Sequence, residues 1–380
     1  MKDNQKIELE KLKMNRIVSA FICAVMLLLA GCISSPKPQS PESGRKEGKI
    51  RKLYTFFTPK TEEDIALMKK YNVVATSTDA NPKTIELLHK ADIQAYASFG
   101  PVGWHDSQLT PEQKAVQAYL NGSDLPKDAE RPLKIARRLK NGRYSYGGEP
   151  FPDVKFCGGT EVFWEGYIRC FVGEKAREMA RAQLDRVCAV PGIDGIAFDY
   201  VGYTNYHGCE HPECRRLCAA YLKENNLPDT QENRNKFFLN ELVEYYASCA
   251  RHIRSIHPEF KIMAHLYPVF LPEPLYGNRL DIDIAGETCA WYRIWNTAKV
   301  EDYARRAVLN QHKYHKNTTC VPFIAITAGD WADIKTPEIV DAELRAILKS
   351  GTDTLMMHEF RSFIRRPEIM AVFDKYMEQK

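Results

Sequence analysis

The alternation of apolar and polar positions along this chain falls into a repeated couplet, a short apolar run followed by a helix-spaced segment. Lys52 to Thr58 (KLYTFFT) predicts a first strand, and residues 59–71 a helix with Thr61 as N-cap and Asp64 in the capping-box position. Asn72 to Ser77 predicts a second strand, and Asn81-Pro82 opens the next helix. Ile93 to Phe99 predicts a third strand. Three such units in close succession point to a parallel sheet built from strand–helix–strand repeats. The rhythm then breaks over 104–172, with helical pieces expected at 111–120 and 131–140 before a stretch rich in Gly and aromatic residues. It reads as a long insertion after strand three.

The couplet resumes at residues 174–190, where Ala176, Met179, Ala180, Leu184 and Val187 recur at helical spacing. Strand four is Gly195 to Tyr200, apolar on both faces and ending on Asp199. Helices follow to about 257; Lys261 to Leu266 is strand five and Leu280 to Ala285 strand six. A helix over 297–312 leads to strand seven, Cys320 to Ile326. Thr336-Pro337 caps a helix before strand eight, Thr352 to Met357, and a last helix starts at Pro367. Eight strands alternating with helices predict an α/β fold, a closed (β/α)8 (TIM) barrel with a long insertion after strand three. A doubly wound open sheet of the dinucleotide-binding kind would need a Gly-rich turn after strand one, and TFFTPKTEED has none.

The N-terminus is patterned differently. Ile17 to Ala30 is apolar behind Lys13 and Arg16, too short for a membrane span of about 20 residues and shaped like a secretory signal. Leu29-Ala30-Gly31-Cys32 resembles the bacterial lipoprotein signal, which implies a lipid on Cys32; an ordinary signal peptide or an uncleaved anchor is the alternative. Residues 32–50, rich in Ser, Pro and charge, read as a tether, leaving 51–380 for the barrel. The expectation is an exported protein held at a bacterial membrane by its lipid. A formal net charge of +4 in 380 residues gives no reason to expect nucleic acid as a partner. Of the 11 cysteines, those outside the signal and lipid site are odd in number, so at least one is free, metal-bound or paired between chains.

In such a barrel, chemistry sits at the C-terminal ends of the strands. Asp199 follows strand four, His265 closes strand five, Glu287 follows strand six, Asp330 follows strand seven, and His358 and Glu359 close strand eight. Any one of them fits a turn cap. As a set they do not, because turns favour Asp, Asn and Gly over His and Glu. Trp104 and His105, Tyr203, Trp291, Trp295 and Trp331 lie past strand ends or in the insertion, with Tyr206 and Tyr292 nearby. Their rings suit the C–H faces of sugars or else seal the barrel top.

Two carboxylates across a cleft are what glycoside hydrolysis requires. The layout resembles glycoside-hydrolase barrels of the α-galactosidase and α-L-fucosidase type. That resemblance implies Asp199, in DGIAFDYVGY, as nucleophile and Glu287, in AGETCAWY, as acid/base, with a carbohydrate as substrate and no required cofactor. Glu359 or Asp330 is the rival acid. The loop YHGCEHPECRRLC offers Cys209, His211, Cys214 and Cys218 at short spacing, which suits a structural zinc site or, in an exported protein, disulfides. Two other functions stay open: a carbohydrate-binding barrel without turnover, and a metal-dependent hydrolase using His265, His358 and Asp330.

Overall fold

Eight parallel strands close into a barrel in which each strand pairs with its neighbours in sequence. They are β1 (Lys52–Phe56), β2 (Val73–Thr78), β3 (Gln94–Phe99), β4 (Gly195–Val201), β5 (Lys261–Leu266), β6 (Ile284–Ala290), β7 (Thr319–Ala325) and β8 (Thr354–His358). The pairing of β8 with β1 closes the ring. The structure, a computed structural model, describes residues 48–100, 160–163, 166–169, 171–203, 208, 212–267, 275–292, 294–327 and 333–378. Glu47–Lys380 form one compact unit. The signal segment, Cys32 and the tether up to residue 47 lie outside the described residues. Among the described residues no helix is long and apolar enough to cross a membrane.

The helices are α1 (Glu62–Lys70), α2 (Pro82–His89), α3 (Glu174–Cys188), α4 (Pro212–Glu224), α5 (Gln231–Ile256), α6 (Thr297–Asn310), α7 (Pro337–Leu348), α8 (Phe360–Ile364) and α9 (Pro367–Tyr376). Their starts follow from local chemistry. The Thr61 hydroxyl accepts from the Asp64 N–H, and the Asp64 carboxylate accepts from the Thr61 N–H in return. Asn81 and Thr336 cap α2 and α7, each with proline at the first turn. At the far end of the chain, Ile50 bridges to Met377, so the first and last described segments are hydrogen-bonded together beneath β1.

Two expectations about the chain's course meet different outcomes. The described part of the insertion is an antiparallel hairpin, Thr160–Phe163 with Gly166–Arg169, while the helices expected at 111–120 and 131–140 lie outside the described residues. Strand six is displaced. It was expected over residues 280–285, but β6 begins at Ile284 and runs through Gly286-Glu287-Thr288. Leu280 and Ile282 are fully buried all the same, in the turn that precedes the strand. Both segments satisfy burial, and the alternation of Leu280 and Ile282 mimics a strand. Pairing decides it, since Ile284 lies in register with Met263 and Thr319.

The interior of the barrel is filled by inward side chains. A Cβ added to Gly286 would lie 2.1 Å from the Met356 sulfur on β8, two strands away, so Gly286 faces the lumen and leaves room for that methionine. Gly286→Ala should therefore destabilise the fold by about 1–3 kcal/mol through overpacking. Thermal or urea unfolding measures it, and an unchanged midpoint would contradict this packing.

Candidate active site

Alternation along β4 sends Phe198 outward onto Tyr246 of α5, ring centroids 5.0 Å apart, and Asp199 inward. There the Asp199 carboxylate accepts from Nδ1 of His265 at 3.3 Å. The Asp199 side chain keeps 23% of its surface open, whereas the His265 side chain keeps only 4%. The ring of His265 stacks on Phe323 of β7, with centroids 3.9 Å apart and planes 12° from parallel. Phe56 of β1 meets His265 at 6.0 Å and His358 at 6.2 Å, so these residues share one inner surface drawn from opposite sides of the barrel. Register irregularities flank the site: β4 slips against β5 between Phe198 and Val201, and β6 against β7 between Thr288 and Ala290. Such slips occur beside active sites, where they re-aim side chains.

His358 is the hub. Tyr292, just past β6, hydrogen-bonds through its hydroxyl to Nδ1 of His358. Burial holds the imidazole below its ordinary 6.5, and His265 pushes the same way, while the charges of Asp199 and Glu359 pull upward. Glu359 follows His358 directly at the end of β8. One oxygen of Glu359 accepts from the Ser362 hydroxyl at 2.6 Å, so α8 holds the orientation of that carboxyl.

Glu287 is not brought to Asp199. In β6 it shares a face with Leu266 and Pro322, opposite to the face of His265, Gly286 and Val321. Its side chain is 1% exposed, and a Cβ on Gly277 would lie 2.5 Å from its Oε1. Burial pushes up the thiols of Cys289 and Cys320 and the hydroxyl of Tyr276, and the Glu287 charge adds to each. Glu287 therefore sits in the layer between barrel and helices, and the acid role expected for it has no geometric support. The cause is the displaced strand: a residue expected past the strand end lies mid-strand, on the outward face.

The aromatic expectations divide. Tyr203 is 1% exposed between Phe171 and Phe238, and Trp291 is 0% exposed against Tyr267 and Tyr292. Both are packing residues without an open ring face, a correction to their expected sugar contact. Trp295 packs on Tyr303 of α6, with the Lys299 ammonium 3.5 Å from its ring centre. Trp104, His105, Asp330 and Trp331 lie outside the described residues. So do Cys209 and His211, while Cys214 and Cys218 are buried thiols one turn apart on α4. Among the described residues no group of three or more His, Cys, Asp or Glu is placed to hold a metal ion. Sequence reading missed Phe56, Phe323 and Ser362 as parts of the site. Phe56 and Phe323 were visible only as apolar strand residues, and inward parity was the signal that marks them.

The fold and this inner surface define a (β/α)8 barrel with a carboxylate–imidazole cluster at the C-terminal ends of its strands. No protein-family model matches the sequence, and no curated protein matches it. Among solved structures, the glycoside hydrolase domain of PgaB (BpsB) from Bordetella bronchiseptica is similar over 87% of this chain and 100% of that one, with 13% identity and a TM-score of 0.50. α-L-Fucosidase isoenzyme 2 from Paenibacillus thiaminolyticus is similar over 86% of this chain and 49% of its own, also with 13% identity and a TM-score of 0.50. At such identity the likeness establishes the barrel fold alone.

The low position of His358 has a measurable consequence. Above the unfolded value of 6.5 the ring is neutral in both states and its contribution to stability is complete. Below it the unfolded chain binds the proton first, so stability falls with falling pH until the folded ring titrates too. The slope from this one group is at most about 1.4 kcal/mol per pH unit. His358→Gln should remove that share, so the difference between native and variant unfolding free energies should slope below pH 6.5 and level above it. Parallel curves would contradict the assignment.

Proposed function

We propose that this protein is a glycoside hydrolase acting on a carbohydrate through Asp199 and Glu359. The observation that carries the reading is the Asp199 carboxylate paired with His265 on the inner surface that also holds His358, with Glu359 directly after His358 at the end of β8. Asp199 has open surface and a neighbouring N–H donor in His265, which suits a nucleophile or base. Glu359, oriented by Ser362, takes the acid role that sequence reading gave first to Glu287. Two solved barrels of similar fold bear glycosidase names, which supports the reaction class without indicating the sugar. We further propose export and attachment to a bacterial membrane through a lipid on Cys32, on the strength of Leu29-Ala30-Gly31-Cys32.

Turnover of a panel of 4-nitrophenyl glycosides, and of natural oligosaccharides by released reducing ends, tests the first proposal. Asp199→Asn should abolish turnover while leaving sugar binding near native, because the shape is kept. Glu359→Gln should slow natural glycosides by roughly 10²–10⁴-fold and spare activated aryl glycosides, which need little protonation. If Glu287→Gln shows that leaving-group dependence instead, the acid is misassigned. If the protein binds sugars yet hydrolyses none, it is a carbohydrate-binding barrel. For the anchor, Cys32→Ala should shift the protein from the membrane to the soluble fraction or leave it unprocessed. Identical fractionation and migration would remove the lipid.

A further inference from the structure

The loops after β6 and β7 are stitched together beside the site. The Asp333 N–H donates to the Tyr292 carbonyl at 3.1 Å, and the Ile294 N–H donates to the Asp333 carboxylate at 2.9 Å. The far end of this stitch is pinned: Lys335, 2% exposed, donates to Glu343 of α7 at 2.8 Å, and the Lys335 carbonyl accepts from Arg366 at 2.8 Å. A buried pair of this kind holds geometry tightly, because breaking it leaves a charge without its partner. Tyr292 is gripped by its backbone at one end, and its ring packs on Trp291 with centroids 4.8 Å apart. At the other end its hydroxyl meets Nδ1 of His358.

We propose that Tyr292 is a positioning residue, whose hydroxyl donates to Nδ1 of His358 and fixes that ring as the Nε2–H tautomer. The chemistry follows from the donor inventory. A neutral imidazole has one donor and one acceptor nitrogen, and a phenol hydroxyl donating to Nδ1 leaves the proton on Nε2. His358 then presents a single N–H donor at the site, where it serves a substrate oxygen or the developing charge on a leaving group. His265 is set the other way, with Nδ1 donating to the Asp199 carboxylate. The two rings around Asp199 are thus held in opposite tautomers by two different partners. Among the described residues, the titratable groups that bear on His358 are Asp199 from β4, His265 from β5, Tyr292 from the β6 loop and Glu359 beside it. Tyr292 is hydrogen-bonded to Nδ1. The catalytic use of that donor rests on the hydrolase reading; the tautomer does not.

The experiment is a ¹⁵N NMR titration of the histidine side chains in the full-length protein, native and Tyr292→Phe. In the native protein His358 should show an acceptor-type shift at Nδ1 and a protonated-type shift at Nε2 above its titration. In Tyr292→Phe the two should move toward a tautomer average. A hydrogen bond to the neutral ring favours that form, so its loss should raise the titration midpoint by roughly half to one pH unit. Should Tyr292→Phe fail to fold, Asp333→Ala, which removes the carboxylate that accepts from the Ile294 N–H and so loosens the loop carrying Tyr292, should give averaging and an upward shift in the same direction. An unchanged tautomer and midpoint in the folded variant overturns the proposal. The NMR needs no turnover. A protein inert toward every 4-nitrophenyl glycoside but showing these shifts would keep Tyr292 and lose the hydrolase reading. An active protein showing no shift would do the reverse.

Discussion

The register of β5, β6 and β7 decides which side chains reach the inner surface of this barrel. His265, Gly286 and Val321 stand side by side on one face, and Leu266, Glu287 and Pro322 on the other. In a sheet whose side chains alternate, a shift of one residue would exchange the two sets. The inner set places an imidazole beside Asp199, while the outer set buries a carboxyl against the helix layer. Gly286 is part of the same constraint, since its missing side chain makes room for Met356 from across the lumen. The identity of the site is therefore a consequence of strand pairing before it is one of chemistry.

On that frame the polar groups are held by apolar ones. His265 lies flat on Phe323, and Phe56 approaches both histidines, so the rings have little freedom to turn. An aromatic contact of this sort is worth about 0.5–1.5 kcal/mol beyond its buried area, enough to favour one rotamer. The apolar surroundings also keep His358 below its usual titration range, against the pull of two carboxylates. Burial wins because removing an imidazolium from water costs more than partly solvated carboxylates return.

Much of this was legible in the sequence. Eight apolar runs with helix-spaced segments between them fixed the count of couplets, and Thr61, Asn81 and Thr336 marked helix starts that the structure reproduces. Asp199, His265 and His358 stood out because polar residues at the ends of apolar strands are costly without a purpose. Glu287 was misplaced for a specific reason. Leu280 and Ile282 alternate as a strand does, whereas Gly286-Glu287 carries weak strand propensity, and local pattern does not report which segment finds partners on both sides. A strand end moved by a few residues converts a cleft residue into a buried one. Tyr203 and Trp291 misled in a related way, since an aromatic past a strand end packs inward as readily as it meets a sugar.

The proposed ligand chemistry lies on the inner surface that holds Asp199, His265 and His358, with Glu359 next to His358 in the chain and Glu287 outside that surface. A crystal structure with a bound monosaccharide, drawn from the sugars the protein binds, tests it most directly. Sugar hydroxyls should lie within hydrogen-bond distance of the Asp199 carboxylate and of a His358 ring nitrogen, with Glu287 still enclosed between β6 and Gly277. A sugar seated away from Asp199, or contacting Glu287, would contradict it.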